Sequence, residues 1–164
     1  MKTASIFRTT KTVFLTFAIA FVASFAFQAQ CQEHKAINLA PERGLPFNDG
    51  IVAGDTLYVA GQEGTNDSGK LAEGGIGPET SAALDNIQKI IKAAGFEMKD
   101  IVSVTVYLAD IHEFPDMNKI YKTVMADPKP ARATIQAAAL VNNARIEISA
   151  IAVKPRSVSL HNTK

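Results

Sequence analysis

Only one cysteine, Cys31, occurs in 164 residues, so no intramolecular disulfide can form and stability must come from packing and from association. The three histidines, His34, His112 and His161, share no metal-ligand spacing, which leaves no case for a metal site. No internal repeat or low-complexity tract interrupts the chain. Acidic residues are missing before Glu33, while Lys2, Arg8 and Lys11 precede or flank the apolar run TVFLTFAIAFVASFAF. A basic start, a short apolar block and small residues at Ser24, Ala26 and Ala29 have the form of a secretory signal peptide. The block is also shorter than the roughly 20 residues a spanning helix requires. Residues 1–31 are therefore expected to be removed, with cleavage between Ala26 and Gln32, and Ala29-Gln30-Cys31 offers a small-x-small site. Lipidation at Cys31 ranks second because Gln30 is large and polar. A mitochondrial transit peptide ranks third because the block is continuous rather than amphipathic. The expected location is periplasmic or secreted, with no stable membrane insertion once the signal is gone.

Three of the 17 Lys+Arg and none of the 16 Asp+Glu lie in that segment, so the remainder carries 14 against 16, a formal charge of −2. A basic strip interleaved with aromatics is also absent, and with it the electrostatic case for nucleic acid as a partner. With 47% apolar and 20% charged residues, the chain has the composition of one globular domain, placed at 32–154. The polar stretch at 155–164 is expected to be a mobile tail.

AINLAPERGLPFNDG, with its prolines, glycines and Asn-Asp-Gly, reads as loop with at most one short edge strand. GIVAGDTLYVAGQ predicts two short strands joined by a tight turn around Ala53-Gly54-Asp55. EGTNDSGKLAEGG is a polar, glycine-rich loop. A helix is predicted from Pro78, at its first position, to Gly95, just past its end. Leu84, Ile87, Ile90, Ile91 and Ala94 make its apolar stripe, and Asp85, Gln88, Lys89 and Lys92 face away. DIVSVTVYLAD alternates, with Val102, Val104, Val106 and Leu108 on one side and Ser103, Thr105 and Tyr107 on the other. A second helix over Pro115–Ala126 shows Met117, Ile120, Tyr121 and Val124 at helical spacing. Two strands follow. Strand-helix-strand units with right-handed crossovers put both helices on one side of the sheet and leave the other side bare, which makes the chain a candidate oligomer.

The last two strands carry opposite charges, Arg132 at the start of one and Glu147 between two isoleucines in the other. If Asn142-Asn143 closed a simple hairpin, the two would sit on one face but roughly 20 Å apart at strand rise, too far to meet. Either the strands are not neighbours, or each charge works with groups from elsewhere.

Pro130-Ala131-Arg132, the aliphatic stretch to Leu140 and Ile146-Glu147-Ile148 resemble the C-terminal signature of the Rid family, the reactive intermediate deaminases also called YjgF-like. LYVAGQ, ALDNIQKIIKAAG and VTVYLADIHEFPDMNKIY are similar to the family's Gly-Gln strand end, first helix, and central strand with second helix. The likeness covers about residues 36–153. It implies an α+β, chorismate-mutase-like fold: a mixed sheet with two helices on one face, the final strand inserted antiparallel between earlier ones, and three subunits packing their bare faces into a barrel-like centre. Arg132 and Glu147 would then lie on non-adjacent strands near clefts between subunits.

The resemblance further implies that Arg132 grips a substrate carboxylate through its planar, permanently charged fork, and that Glu147 holds or activates water. The reaction would be hydrolysis of 2-imino acids, or their enamine tautomers, to 2-keto acids and ammonium. Orientation of carboxylate, water and electrophilic carbon carries much of such a reaction, with no cofactor and no metal. Backbone near Thr134 and Gly61 would line the cleft, with Asn118 in support. Family members active on imines commonly show Pro-Tyr-Ser-Gln where this chain has Pro46-Phe47-Asn48-Asp49, so Phe47 keeps the ring without its hydroxyl, and Ala60 replaces a frequent serine. The alternatives are a strand-end salt bridge for Arg132, a purely structural partner for Glu147, an apolar wall for Phe47 and a plain turn at Asn48-Asp49-Gly50. The competing function is a non-catalytic trimer that binds small carboxylates. A ribonuclease role ranks third, given the charge.

Overall fold

The computed structural model describes residues 33–155. The expected signal segment and most of the tail, from residue 156, lie outside the described residues. Strands β1 (His34–Ile37), β2 (Gly50–Ala53) and β3 (Thr56–Glu63) lead into helix α1 (Ile76–Ala93). Strand β4 (Ile101–Leu108), helix α2 (Phe114–Val124), strand β5 (Ala131–Gln136) and strand β6 (Ile146–Val153) complete the order. The strands form one mixed sheet in the order β1-β2-β3-β6-β4-β5. The final strand runs antiparallel to both of its neighbours, β3 and β4, and β5 lies parallel to β4 at one edge.

The insertion of β6 is the resolution of the hairpin misfit, since β5 and β6 do not touch as strands. It also explains the composition of β6. Ile146, Ile148, Ala150 and Ala152 are all buried on the helix side, where a central strand needs apolar residues at every second position. They pack with Leu57, Val59, Val104, Val106 and Leu108 from the sheet, Leu84, Ile87, Ile90 and Ile91 from α1, and Met117 and Tyr121 from α2. The other face carries Tyr58, Ser103, Thr105, Tyr107, Ser149 and Ile151 in cross-strand register, with Tyr58 51% exposed. Both helices therefore cover one face, and among the described residues no element packs on the second, which is bare in that sense. Among the described residues no helix is long and apolar enough to cross a membrane.

Local signals acted much as read. Ala53 pairs with Thr56, leaving Gly54-Asp55 as the hairpin loop, and Gly54 takes φ +63°, as the first central residue of a primed turn does. Gly95 takes φ +78° just past α1, and its N–H and that of Phe96 donate to Lys92 and Ile91 carbonyls at 3.0 and 2.9 Å, closing the helix end. Two details differ. α1 begins at Ile76, so Pro78 is the third helical residue; it still lies in the first turn, where its missing N–H breaks no helical bond. Val102 is 48% exposed, because β4 slips register against β6 between Ile101 and Ser103 and Ile101 takes the inward place instead. His34 belongs to edge strand β1, and His112 sits in a short 3-10 turn beside Asp110.

The start of β6 is fastened to α1. Buried Glu79 accepts a hydrogen bond from the Arg145 backbone N–H at 2.8 Å, and the Arg145 guanidinium lies between Glu79 and Glu113. Ile148→Ala, at the centre of the sheet, is expected to lower unfolding free energy by about 3 kcal/mol. Val141→Ala, at a site 67% exposed, should stay within about 0.5 kcal/mol of the parent in the same urea titration.

Candidate functional site

Arg132 and Thr134 pair in register with Val104 and Val106, so both point to the helix side of the sheet, toward α2. There the Arg132 guanidinium donates to Asn118 Oδ1 at 2.9 Å and lies 4.4 Å from the Tyr121 ring centroid and 5.4 Å from that of Phe114. The rings attract the cation through their electron-rich faces, and the Asn118 amide fixes its orientation. Among the described residues no carboxylate comes within ion-pair distance of Arg132, so the salt-bridge alternative finds no partner among them. The Thr134 hydroxyl is buried and has no hydrogen-bond partner there either. Buried polar groups are normally satisfied, so this hydroxyl calls for a partner from outside the described residues, a water included. Burial pushes the Tyr121 hydroxyl above the ordinary tyrosine range, with the Arg132 charge acting in the opposite direction.

Glu147 stands opposite Tyr107 of β4 and Glu63 of β3, which puts it on the bare face. On β3, the pairing with β6 jumps from Val59↔Ala150 to Gln62↔Ile148, so one extra residue is accommodated around Ala60-Gly61 as a bulge. Gly61 lies directly beneath the glutamate: a Cβ there would be 1.9 Å from Glu147 Oε1. The glycine thus makes room for the carboxylate. Burial, and secondarily the charge of Glu63, hold the Glu147 carboxyl above the ordinary glutamate range.

Phe47 belongs to the same half. The loop that carries it is attached to β3 beside Gly61, where the Ala60 N–H donates to the Asp49 carbonyl at 2.9 Å. Asp49 is itself buried, its carboxylate accepting from the Leu39 N–H at 2.7 Å and from Arg43 at 3.0 Å. The turn expected at Asn48-Asp49-Gly50 is therefore a buried anchor, and it leaves Phe47 54% exposed.

The six residues singled out from sequence thus divide into two groups: Arg132, Asn118 and Thr134 on the helix side, and Glu147, Gly61 and Phe47 on the other face and its adjoining loop. Arg132 and Glu147 are separated by β4, with Cα atoms roughly 14 Å apart from strand spacing and rise and side chains on opposite faces. One chain cannot bring both to one small molecule. Sequence reasoning missed Phe114 and Tyr121 as supports of Arg132, and Glu63 as the neighbour of Glu147. Tyr121, read as core, lies one helical turn from Asn118, a spacing that could have grouped them; the Glu63 contact depends on the β3 to β6 register and left no local signal. Among the described residues no group of three or more His, Cys, Asp or Glu could hold a metal ion.

A family model described as Endoribonuclease L-PSP matches residues 37–154. The chain is 42% identical over 116 residues to the mouse protein named 2-iminobutanoate/2-iminopropanoate deaminase, covering 70% of this chain and 86% of that one. It is 38% identical over 116 residues to a RutC family protein of Pyrococcus horikoshii, covering 70% and 92%. Among solved structures, the YjgF gene product of E. coli matches with a TM-score of 0.69 at 31% identity, over 74% of this chain and 99% of that one. E. coli TdcF with bound serine matches with a TM-score of 0.64 at 27% identity, over 68% and 90%.

A carboxyl held above its ordinary value disfavours the folded state once it ionises. Its contribution to stability is complete below the unfolded glutamate value and is lost as pH rises through the folded one. Glu147→Gln is therefore expected to raise the thermal midpoint at pH 8 and leave it nearly unchanged at pH 4. An equal effect at both values, measured by scanning calorimetry, would contradict this placement of the group.

Proposed function

The chain belongs to the endoribonuclease L-PSP family, which includes the Rid and YjgF-like proteins, and from that premise we propose that it hydrolyses 2-imino acids, or their enamine tautomers, to 2-keto acids and ammonium. The observation that carries this reading is the Arg132 guanidinium, stacked on two rings and fixed by Asn118 but facing no acid among the described residues. Such a fork suits a carboxylate bound through two parallel hydrogen bonds, and in this reading the Thr134 hydroxyl, on the same face of β5, adds a third. Several relatives are named as imine deaminases, which agrees with a substrate bearing that carboxylate beside a C=N bond.

In this reading Glu147 acts on the other end of the substrate. Its carboxylate takes a proton from the attacking water as oxygen bonds to the imine carbon, and the proton is delivered to nitrogen. The carbinolamine then breaks its C–N bond, leaving the keto acid and ammonia. Holding acid, water and carbon in line supplies most of what such an electrophile needs. Because Arg132 and Glu147 lie on opposite faces of one sheet, a complete site takes Arg132 from one copy and Glu147 from another. We read the bare face, with Tyr58, Tyr107 and Ile151, as the surface on which three copies close a barrel-like centre. The leader-like N-terminus supports export to the periplasm or the medium in the same reading. Phe47 and Ala60 lack hydroxyls at the Glu147 half, which favours binding without turnover as the second reading.

The test follows keto acid release from an imino acid generated in situ. Arg132→Ala and Glu147→Gln should each lower kcat/KM by about 100-fold or more. Unfolded together in equal amounts and refolded, the two variants should recover about one quarter of the wild-type sites, since each site draws on two copies at random. No recovery from correctly assembled mixtures would contradict a site shared between copies. Binding of a 2-keto acid without turnover, with turnover appearing in Phe47→Tyr, would select the second reading.

A further inference from the structure

Glu63 is the nearest acidic neighbour of Glu147, and nothing in the proposed chemistry uses it. The two are direct cross-strand partners on the bare face, where like charges directly opposite each other repel. A solvent-exposed, freely rotating side chain would relieve that repulsion by swinging away. Glu63 is restrained instead. Its Oε2 accepts a hydrogen bond from Asn142 Nδ2 at 2.9 Å, and Asn142 belongs to a turn in which it and Asn143 both take left-handed backbone conformations, φ +56° and +57°. Its backbone is restrained too, because the Asn86 amide of α1 donates to the Glu63 and Thr65 carbonyls at 3.3 and 2.9 Å. The next residue, Gly64, packs so closely on α1 that a Cβ would lie 2.3 Å from the Glu79 carbonyl oxygen.

We propose, resting on the hydrolase reading above, that Glu63 is a positioning residue for the reaction: tethered by Asn142 opposite Glu147, it sets a negative charge against the reacting carboxyl and so helps that carboxyl act as a proton donor.

Within one chain, the described surroundings of Glu147 leave that charge unopposed. β3 presents Glu63 and the bare backbone of Gly61, and β4 presents Tyr107. The nearest cation in sequence, Arg145, is directed away to Glu79 and Glu113. Among the described residues no Lys or Arg forms an ion pair with either glutamate. Burial and the Glu63 charge both act to raise Glu147, and a like charge nearby is a recognised means of keeping one of two carboxyls protonated. The chemical use is specific. A neutral imine or enamine must gain a proton before water can attack it readily, and a protonated Glu147 supplies it. The resulting carboxylate then takes a proton from the attacking water, so the group returns to its starting state when that proton is regained, and no other reagent is consumed.

A glutamate that starts protonated and one that starts as a simple base suit different forms of the substrate. An ionised glutamate serves a substrate that arrives as the iminium; a protonated one serves the neutral imine or enamine, which predominates at higher pH.

The experiment titrates Glu147 directly, in full-length protein labelled with 13C at the glutamate carboxyl carbon and assigned through Glu147→Gln. In Glu63→Gln, which keeps an acceptor for Asn142 but removes the charge, the Glu147 titration should move to lower pH by roughly half a unit or more. Asn142→Ala, which leaves the charge but frees it, should move it in the same direction by less. Glu73→Gln, which removes an exposed acid from the neighbouring loop, should not move it. Where the protein turns over imines, the matching limb of its kcat/KM profile should shift with the Glu63→Gln titration. An unchanged Glu147 titration in Glu63→Gln, or an equal shift in Glu73→Gln, would overturn the proposal. Absence of turnover in the wild type with the titration shift intact would instead count against the hydrolase reading alone, so the two failures remain distinct.

Discussion

Strand register decides which face of a sheet each side chain occupies, and here β6, inserted antiparallel between β3 and β4, fixes that register for the whole domain. Its even-numbered residues from Ile146 to Ala152 fill the core under α1, which obliges Glu147 to face the other way. β5, added parallel at the edge, turns Arg132 inward toward α2 by the same rule. A slip of one residue in either pairing would exchange core and surface, so the apolar burial that stabilises the fold also enforces the separation of the two charges.

That separation gives the unsatisfied groups their meaning. Among the described residues Arg132 has an amide and two rings but no acid, the Thr134 hydroxyl has no partner, and Glu147 rests over Gly61 with its proton affinity raised by burial and by Glu63. Each is a cost to stability if left alone. The supports around them are rigid: Asn118 on α2, the fastened start of β6 at Arg145, and the Asp49 anchor that ties the Phe47 loop to β3. Stiff surroundings and unmet polar groups together suit a small-molecule site, and here they come in two halves on opposite faces of one sheet.

Much of this was legible in the chain. The Gly54-Asp55 turn, the Gly95 helix end, the inward alternation at Val104, Val106 and Leu108, and the bare opposite face all followed from local pattern. Arg132 and Glu147 stood out because charges are unexpected in such apolar strands. What escaped depends on partners distant in sequence. The bulge that exposes Val102 is a property of the β4 to β6 pairing, the opposite facing of Arg132 and Glu147 is a property of strand order, and the Glu63 contact arises only once residues 63 and 147 are brought into register. Asp49 was hidden for a related reason, because Asn-Asp-Gly reads as an exposed turn until Leu39 and Arg43 are seen to converge on its carboxylate.

The most direct measurement is a crystal structure of the assembled protein with a small 2-keto acid bound. The account predicts the ligand carboxylate on Arg132 of one copy, beside Asn118 and Thr134, with its keto carbon turned toward Glu147 of a neighbouring copy. A ligand held away from Arg132, or a protein that remains a monomer with the two faces far apart, would contradict it.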